Sequence, residues 1–390
     1  MHAPICRSGR SGTLLRNERG VALPMAIFAL VVIGALVAGT FFAGRLEQQG
    51  GRNTLYATQA FEAADAGLAT SLAGWDGAWN TLAVRDSVQV TMTELGSSTG
   101  IFSGATVVKI NDNSFMVRGE GERRAPNGTV LGRRTVAMLT KMFITDVPVR
   151  AALVARGDLE VRGTADLYGD NLDPPGWASS STNRAACPFD DTEVPAAEVS
   201  GTISTNGNPT MEPAPVENSA DLTDSLFLEP FDALTQMANI VLTGSGTISM
   251  SPTPTATTTT PVRCNTAFSS NWGEPELSVD ACKGYFPIIY SPTNLRLTTG
   301  RGQGILLVDG DLTLAGNFTF AGIIITRGSF NASHGTNNVY GTVLANNALL
   351  EDQTMAGTPQ VQFSTCAVSR ALTASARAVP FNSRAWAQLY

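Results

Sequence analysis

Asp309 and Asp311 stand two residues apart in the run Val308-Asp309-Gly310-Asp311-Leu312. Two carboxylates held at a fixed separation are the machinery of sugar cleavage, one as acid and the other as base or nucleophile. Beside a glycine in a turn, aspartates more often shape the backbone. His334 is one of only two histidines, with His2. It sits just past a hexad strand pattern of a kind that acyltransferases use, but a lone histidine in a turn is ordinarily solvated. Asp170, Asn171 and Asp173 offer oxygens for Ca²⁺, yet their spacing fits no known loop. No CxxC occurs, so a zinc site lacks donors. No catalytic constellation emerges. The reading assigns no catalytic residue, no metal and no cofactor, and expects a protein that is not an enzyme.

Five cysteines are present. Cys6 lies near the N-terminus, while Cys187, Cys264, Cys282 and Cys366 lie far downstream. Four thiols in an oxidising compartment read as two disulfides with three possible connectivities. Cys264–Cys282 is the shortest pairing and would close a loop worth about 3 kcal/mol in the chain-entropy model. A Cys–His nucleophile would need a free thiol, which the even count disfavours.

The element that would place these cysteines outside the cytoplasm is at the N-terminus. Residues 21–42 carry no charge. At about 1.5 Å per residue such a helix spans roughly the ~30 Å hydrocarbon core of a bilayer. Residues 1–20 hold Arg7, Arg10, Arg16 and Arg19 against Glu18. Positive flanks stay cytoplasmic, so everything after the span is expected outside. A cleaved secretory signal, cut after Ala38 or Ala43, is the rival reading, but its apolar region is normally shorter. An unprocessed signal anchor is a third. Ala57, Ala60, Ala64, Gly67 and Leu68 then recur at three- and four-residue steps, with Phe61 one turn away. That spacing predicts a helix continuing over 45–73 with a small-residue face that a sheet can approach. Gly50-Gly51 would interrupt it at about 1 kcal/mol per glycine.

Arg19-Gly20 followed by Val21-Ala22-Leu23, the apolar run, and Gln59-Ala60-Phe61-Glu62-Ala63-Ala64-Asp65-Ala66-Gly67-Leu68 together resemble the type IV prepilins, specifically PilX-like minor pilins. The likeness covers about residues 16–75. The Phe363–Ala367 strand end and the Arg384-Ala385-Trp386 tail extend it weakly. The resemblance implies cleavage after Gly20 by a prepilin peptidase and N-methylation of Val21. It also implies an inner-membrane, single-pass protein with a periplasmic C-terminal part, partnered by pilin subunits and the pilus assembly machinery. Most such subunits carry Glu at the fifth mature position, to pair with a neighbour's N-terminal amine. Here Met25 stands there, which implies a tip or initiating subunit rather than a bulk one. Pro24 fits a helix beginning at Val21, because the first four helical N–H groups have no intrahelical acceptor.

Residues 88–92, 105–111, 114–119 and 136–142 read as short strands of a small antiparallel sheet, with 120–128 polar and turn-rich. Beyond them runs a glycine ladder. Gly304, Gly310, Gly316, Gly322 and Gly328 are spaced by six, as are Gly157, Gly163 and Gly169. The third and fifth places of each unit are almost all apolar, including Leu159, Val161, Leu306, Val308, Leu312, Leu314, Phe318, Phe320 and Ile324. Three hexads would make one triangular coil of a β-solenoid. The rival is a meander of hairpins with Asp309-Gly310 in a type I′ turn. The two ladders should adjoin, making residues of about 170–299 an insertion. That stretch looks loop-rich, with a Thr/Pro tract at 253–261.

The chain has 390 residues and a net charge of −7, so with the leader removed residues 21–390 carry −10. Wrapping nucleic acid needs clustered Lys and Arg, and no such partner is expected. The expected fold class is α+β: a leader over 1–20, a membrane and pilin-type helix over 21–75, a small antiparallel domain over 76–145, and a β-rich domain over 146–390 bearing the ladder at 157–169 and 304–341. The expected function is a structural minor pilin in pilus assembly, adhesion or a related surface role. The alternative is a membrane-anchored, carbohydrate-active or transferase solenoid.

Overall fold

The computed structural model describes residues 22–179, 186–188, 190–260, 262–351, 359–381 and 385–389. Gly20 and Val21 lie outside the described residues, as do the leader and Arg384. Helix α1, Ala22–Ala73, runs unbroken for 52 residues. Gly50 and Gly51 do not interrupt it, and a methyl group at either would meet nothing within 4 Å. The backbone hydrogen bonds of a long helix carry two glycines whose cost is only about 1 kcal/mol each.

Four antiparallel strands follow: β1 (Ser87–Glu94), β2 (Ile101–Asn111), β3 (Ser114–Arg124) and β4 (Val130–Phe143). β3 continues to Arg124, through residues expected to form a turn. The backbone pairs Glu120 with Thr135 and Glu122 with Arg133, and ladder bonds outweigh local polarity. The sheet also recruits the far end of the chain. Arg377–Pro380 and Trp386–Leu389 both pair with β4. The last residues therefore belong to the first sheet, which corrects the division that assigned all of 146–390 to the second β region.

In that second region the strands run parallel. Ile305 to Val308 align with Ile323 to Thr326, 18 residues on, and Leu312 with Phe330. Hairpins would have given antiparallel pairs. The long strands Gly300–Val308, Phe318–Thr326 and Asn337–Ala345 each turn a corner at Gly304, Gly322 and Gly341, all at positive φ of 108°, 141° and 134°. The halves flanking Gly341 have different neighbours, Gln360–Gln362 on one side and Leu153–Ala155 on the other. Leu312–Ala315 and its counterparts form the third row. Side chains at the third and fifth hexad places point inward, and Leu306, Val308, Leu312, Leu314, Phe320 and Ile324 are fully buried. Each such side chain contributes about 1.5–3 kcal/mol of burial.

The two ladders meet. Leu153–Ala155, Leu159–Gly163 and Asp166–Tyr168 pair in parallel with Asn337–Ala345, Asn347–Glu351 and Gln360–Gln362. The stretch between them is loop-rich, as its composition predicts, but it is more than an insertion, because its short strands extend the stack at both ends. Ala197–Val199, Ile203–Gly207 and Thr210–Glu212 add a winding beyond Leu153–Tyr168. Ile240–Val241 and Ile248–Met250 add another at the opposite end. These strands have two to five residues, too few to display a period, and the parallel neighbour selects them.

One row is apolar on its outer side as well. Ile305, Leu307, Ile323 and Ile325 are buried under α2 (Asp224–Thr235) and α3 (Thr365–Ser375), through Phe227, Phe231, Leu234, Val368 and Ala371. The two β regions are joined near α3, where Asn80 Nδ2 donates to the carbonyls of Thr373 (2.8 Å) and Ala376 (2.9 Å).

Candidate functional site: the helix and its seam

α1 has two halves of opposite character. From Ala22 to Leu55 every residue is exposed. Phe28 and Phe41 are 70 % and 73 % exposed, in a stretch whose most apolar window has a mean hydropathy of 2.5. Among the described residues this is the one helix long and apolar enough to cross a membrane. Met25 lies on this half and is 68 % exposed, and no carboxylate occurs in the helix before Glu47.

The other half is seated on the sheet. Ala60, Ala63, Ala64, Gly67, Leu68 and Ser71 are buried. A methyl group added at Gly119 would collide with the carbonyl of Ala64, one at Gly121 with that of Ala60, and one at Gly67 with that of Gly104. Ser103 Oγ donates to the Ala63 carbonyl at 2.8 Å. Helix and strand backbones thus touch with no side chain between them. Phe61 closes one flank, edge-on to Trp386 at 6.0 Å. The helical side of this seam was readable from the Ala/Gly spacing. The sheet side was missed, although the alternation of Gly119 and Gly121 along β3 is its signal.

Charged groups pin the sheet and the parallel stack separately. The Glu122 side chain is 2 % exposed and accepts from Arg124 Nε (2.6 Å) and Arg133 Nε (2.7 Å). Burial pushes its carboxyl up, but the hydrogen bonds from Arg133 and Arg124 outweigh it and hold the pKa below the ordinary value. Glu198, in the stack, is opposed by burial in the same way. It is lowered by Arg150, paired at 2.9 Å through each oxygen, and by the Ser219 hydroxyl.

The residues singled out for chemistry are engaged in structure. Asp309 accepts from Arg327 Nη1 at 3.2 Å. Asp311 Oδ1 accepts the backbone N–H of Ser329 at 2.8 Å, one winding on. It belongs to a series. Asn294 Oδ1 takes the N–H of Asp311, Asn347 Oδ1 that of Asp158, and Asp158 Oδ1 that of Thr202. Each acceptor occupies the space a Cβ would need at Gly310, Gly328, Gly157 or Gly201. Those glycines make room for a neighbour's cap, unlike Gly304, Gly322 and Gly341, which bend the chain. Asn171 bridges the Asp190 carbonyl and the Thr365 N–H, at 2.7 and 2.9 Å. His334 ends the strand Ser329–His334, and its side chain lies outside the described part.

Cys264–Cys282 are bonded, as are Cys187–Cys366, with Cα atoms 4.7 and 5.8 Å apart. Asp173 approaches Cys187 and Cys366, but those sulfurs are bound to each other, so they present no thiolate to a metal. The second bridge ties α3 to a segment 179 residues earlier. It lies in a cluster with Trp177, Phe286 and Ala367.

No family model and no curated protein matches the sequence. Among solved structures the chain is similar to the competence-associated pilin ComZ from Thermus thermophilus. The TM-score is 0.27 and the identity 13 %, over 85 % of this chain and 96 % of that one. The superposition is loose.

Proposed function

We propose that this chain is a non-enzymatic minor pilin, inserted in the inner membrane by α1 with its C-terminal part periplasmic, and placed at the tip or start of a type IV pilus or related pseudopilus. One observation carries the reading. A single continuous helix is bare and apolar along its first half and welded to a sheet along its second. A subunit that moves from bilayer to fibre core needs this division, because the bare half must exchange lipid for neighbouring helices while the head stays folded. Met25 supports the placement. A buried carboxylate is costly unless it meets a positive partner, and this subunit offers none there to a neighbour's amine. Processing by a prepilin peptidase, with Gly20 as the cleavage site and Val21 as the methylated residue, follows from the sequence resemblance. The engagement of Asp309 and Asp311 in capping and pairing supports a structural stack over a sugar-cleaving one.

Mass spectrometry of the mature protein tests the reading first. The expected N-terminus is N-methyl-Val21, and one at Gly39 or Gly44 would mean an ordinary secretory signal. Deletion should reduce fibre number or surface function while bulk subunits are still processed. Met25→Glu should redistribute the protein along the shaft if the missing carboxylate alone restricts it. Loss of glycan turnover in an Asp309→Asn, Asp311→Asn variant would favour the carbohydrate-active alternative.

A further inference from the structure

Glu122, Glu198, Glu274 and Lys109 are the charged residues buried to more than nine-tenths among those described. Each glutamate meets arginine: Arg124 and Arg133 at Glu122, Arg150 at Glu198, and Arg301 at Glu274. Lys109, on β2, meets no carboxylate among the described residues. Its Nζ donates to the Asn80 carbonyl at 2.8 Å and stands 5.7 Å from the centre of the Phe115 ring. An ammonium has three N–H donors, and that carbonyl takes one of them. A buried charge is costly unless it is paired, and this is the buried charge that the fold leaves without a counter-ion.

Lys109 also lines a cavity of about 260 Å³ where the sheet meets the end of α3. Asn80 and Ala376, both buried, line it too, while Asp112, Thr373 and Ile144 are exposed and form its mouth. Met142 and Ile144 give it an apolar wall. At ~30 Å³ per water molecule, the space exceeds what a single bridging water fills. Its chemistry narrows the occupant. A lone ammonium compensates one negative charge, and the Asp112 carboxylate at the mouth disfavours a second. The wall of Met142 and Ile144 gives a short aliphatic chain a place to lie, which an inorganic anion would leave empty.

We infer that the cavity between β2, β4 and the end of α3 binds a small aliphatic monocarboxylate, whose carboxylate pairs with Lys109 and whose chain lies on Met142 and Ile144. The bound acid touches both β regions, because Lys109 and Met142 belong to the sheet and Thr373 and Ala376 to the α3 side. It therefore tightens the join that Asn80 makes to the Thr373 and Ala376 carbonyls.

Calorimetric titration of the full chain in a non-ionic detergent, in a buffer free of carboxylates and phosphate, tests it with butyrate as the probe. One-site binding with a Kd on the order of 1 mM is expected for so small a ligand. Butyramide, the uncharged isostere, and succinate, with a second carboxylate, should each bind at least about tenfold more weakly. With butyrate at ten times its Kd, amides 109–113 and 373–377 should exchange up to about tenfold more slowly, and together. Ile144→Trp, at an exposed position, should plug the mouth and weaken butyrate at least about tenfold with the unfolding midpoint unchanged. Lys109→Met should abolish binding. It also removes the bond to Asn80, so Ile144→Trp carries the test if that variant fails to fold. The absence of saturable heat with butyrate would overturn the inference, as would equal affinity for butyramide or for succinate. Undiminished binding in Ile144→Trp would place butyrate elsewhere and overturn it as well.

Discussion

The antiparallel sheet and the parallel stack both spend glycine heavily, and they spend it on different things. In the sheet, Gly119 and Gly121 remove side chains so that α1 can lie on the strand backbone. In the stack, Gly304, Gly322 and Gly341 take a positive φ that turns a corner, while Gly157, Gly201, Gly310 and Gly328 vacate space for an Asn or Asp from the adjacent winding. The sheet is clamped by one helix and a buried Glu122. The stack, with little helix to lean on, is stitched by two disulfides and a series of side-chain caps. A seam that binds two elements needs bare backbone along one line. A stack that repeats needs the same bend in every turn.

The largest expected effect separates the two regions by redox. Reduction should destabilise the stack by about 5 kcal/mol for Cys187–Cys366 and about 3 kcal/mol for Cys264–Cys282 in the chain-entropy model. Amide exchange in β2 and β3 should hardly change. Exchange that rises equally in both regions would show that they unfold as one unit.

Valine at the two kinds of glycine comes next. Gly121→Val should cost the sheet about 3 kcal/mol by forcing α1 off β3. Gly322→Val should cost the stack about as much, from its φ of 141° together with collision against the Gly304 carbonyl. Gly50→Ala is the control. That position is open and helical, and the variant should gain up to about 1 kcal/mol.

Acid sharpens the comparison further. Glu122 and Glu198 both have folded pKa values below the ordinary glutamate value. A depressed carboxylate stabilises the fold above its unfolded pKa, and that stabilisation is lost as pH falls through the folded pKa. Each region should therefore weaken on acidification beneath the normal glutamate range. Glu122→Gln should flatten that dependence for the sheet alone and Glu198→Gln for the stack alone, as measured by urea unfolding across pH. The smallest effect belongs to one cap. Asn294→Ala should cost the stack about 1 kcal/mol, through the lost acceptor for the Asp311 N–H.

Much of this arrangement was legible from residue order alone. An uncharged run over 21–42, small residues at helical spacing from Ala57 to Leu68, and apolar residues at alternate places between glycines are local patterns, and each buries or exposes the face its period dictates. The shortest cysteine pairing was legible too, because short loops close cheaply. Tertiary structure alone decided the rest. Ile240–Val241 and Ala197–Val199 are too short to show a period, and they become strands only because a finished winding offers its edge. Cys187 and Cys366 meet across 179 residues because α3 packs over the stack. Trp386–Leu389 return to β4, and Trp386 to Phe61, because the sheet's edge and the flank of α1 were left open at the other end of the chain. Local order specifies which face of an element is apolar. What that face meets depends on contacts between residues hundreds of positions apart, and no window of sequence contains both partners.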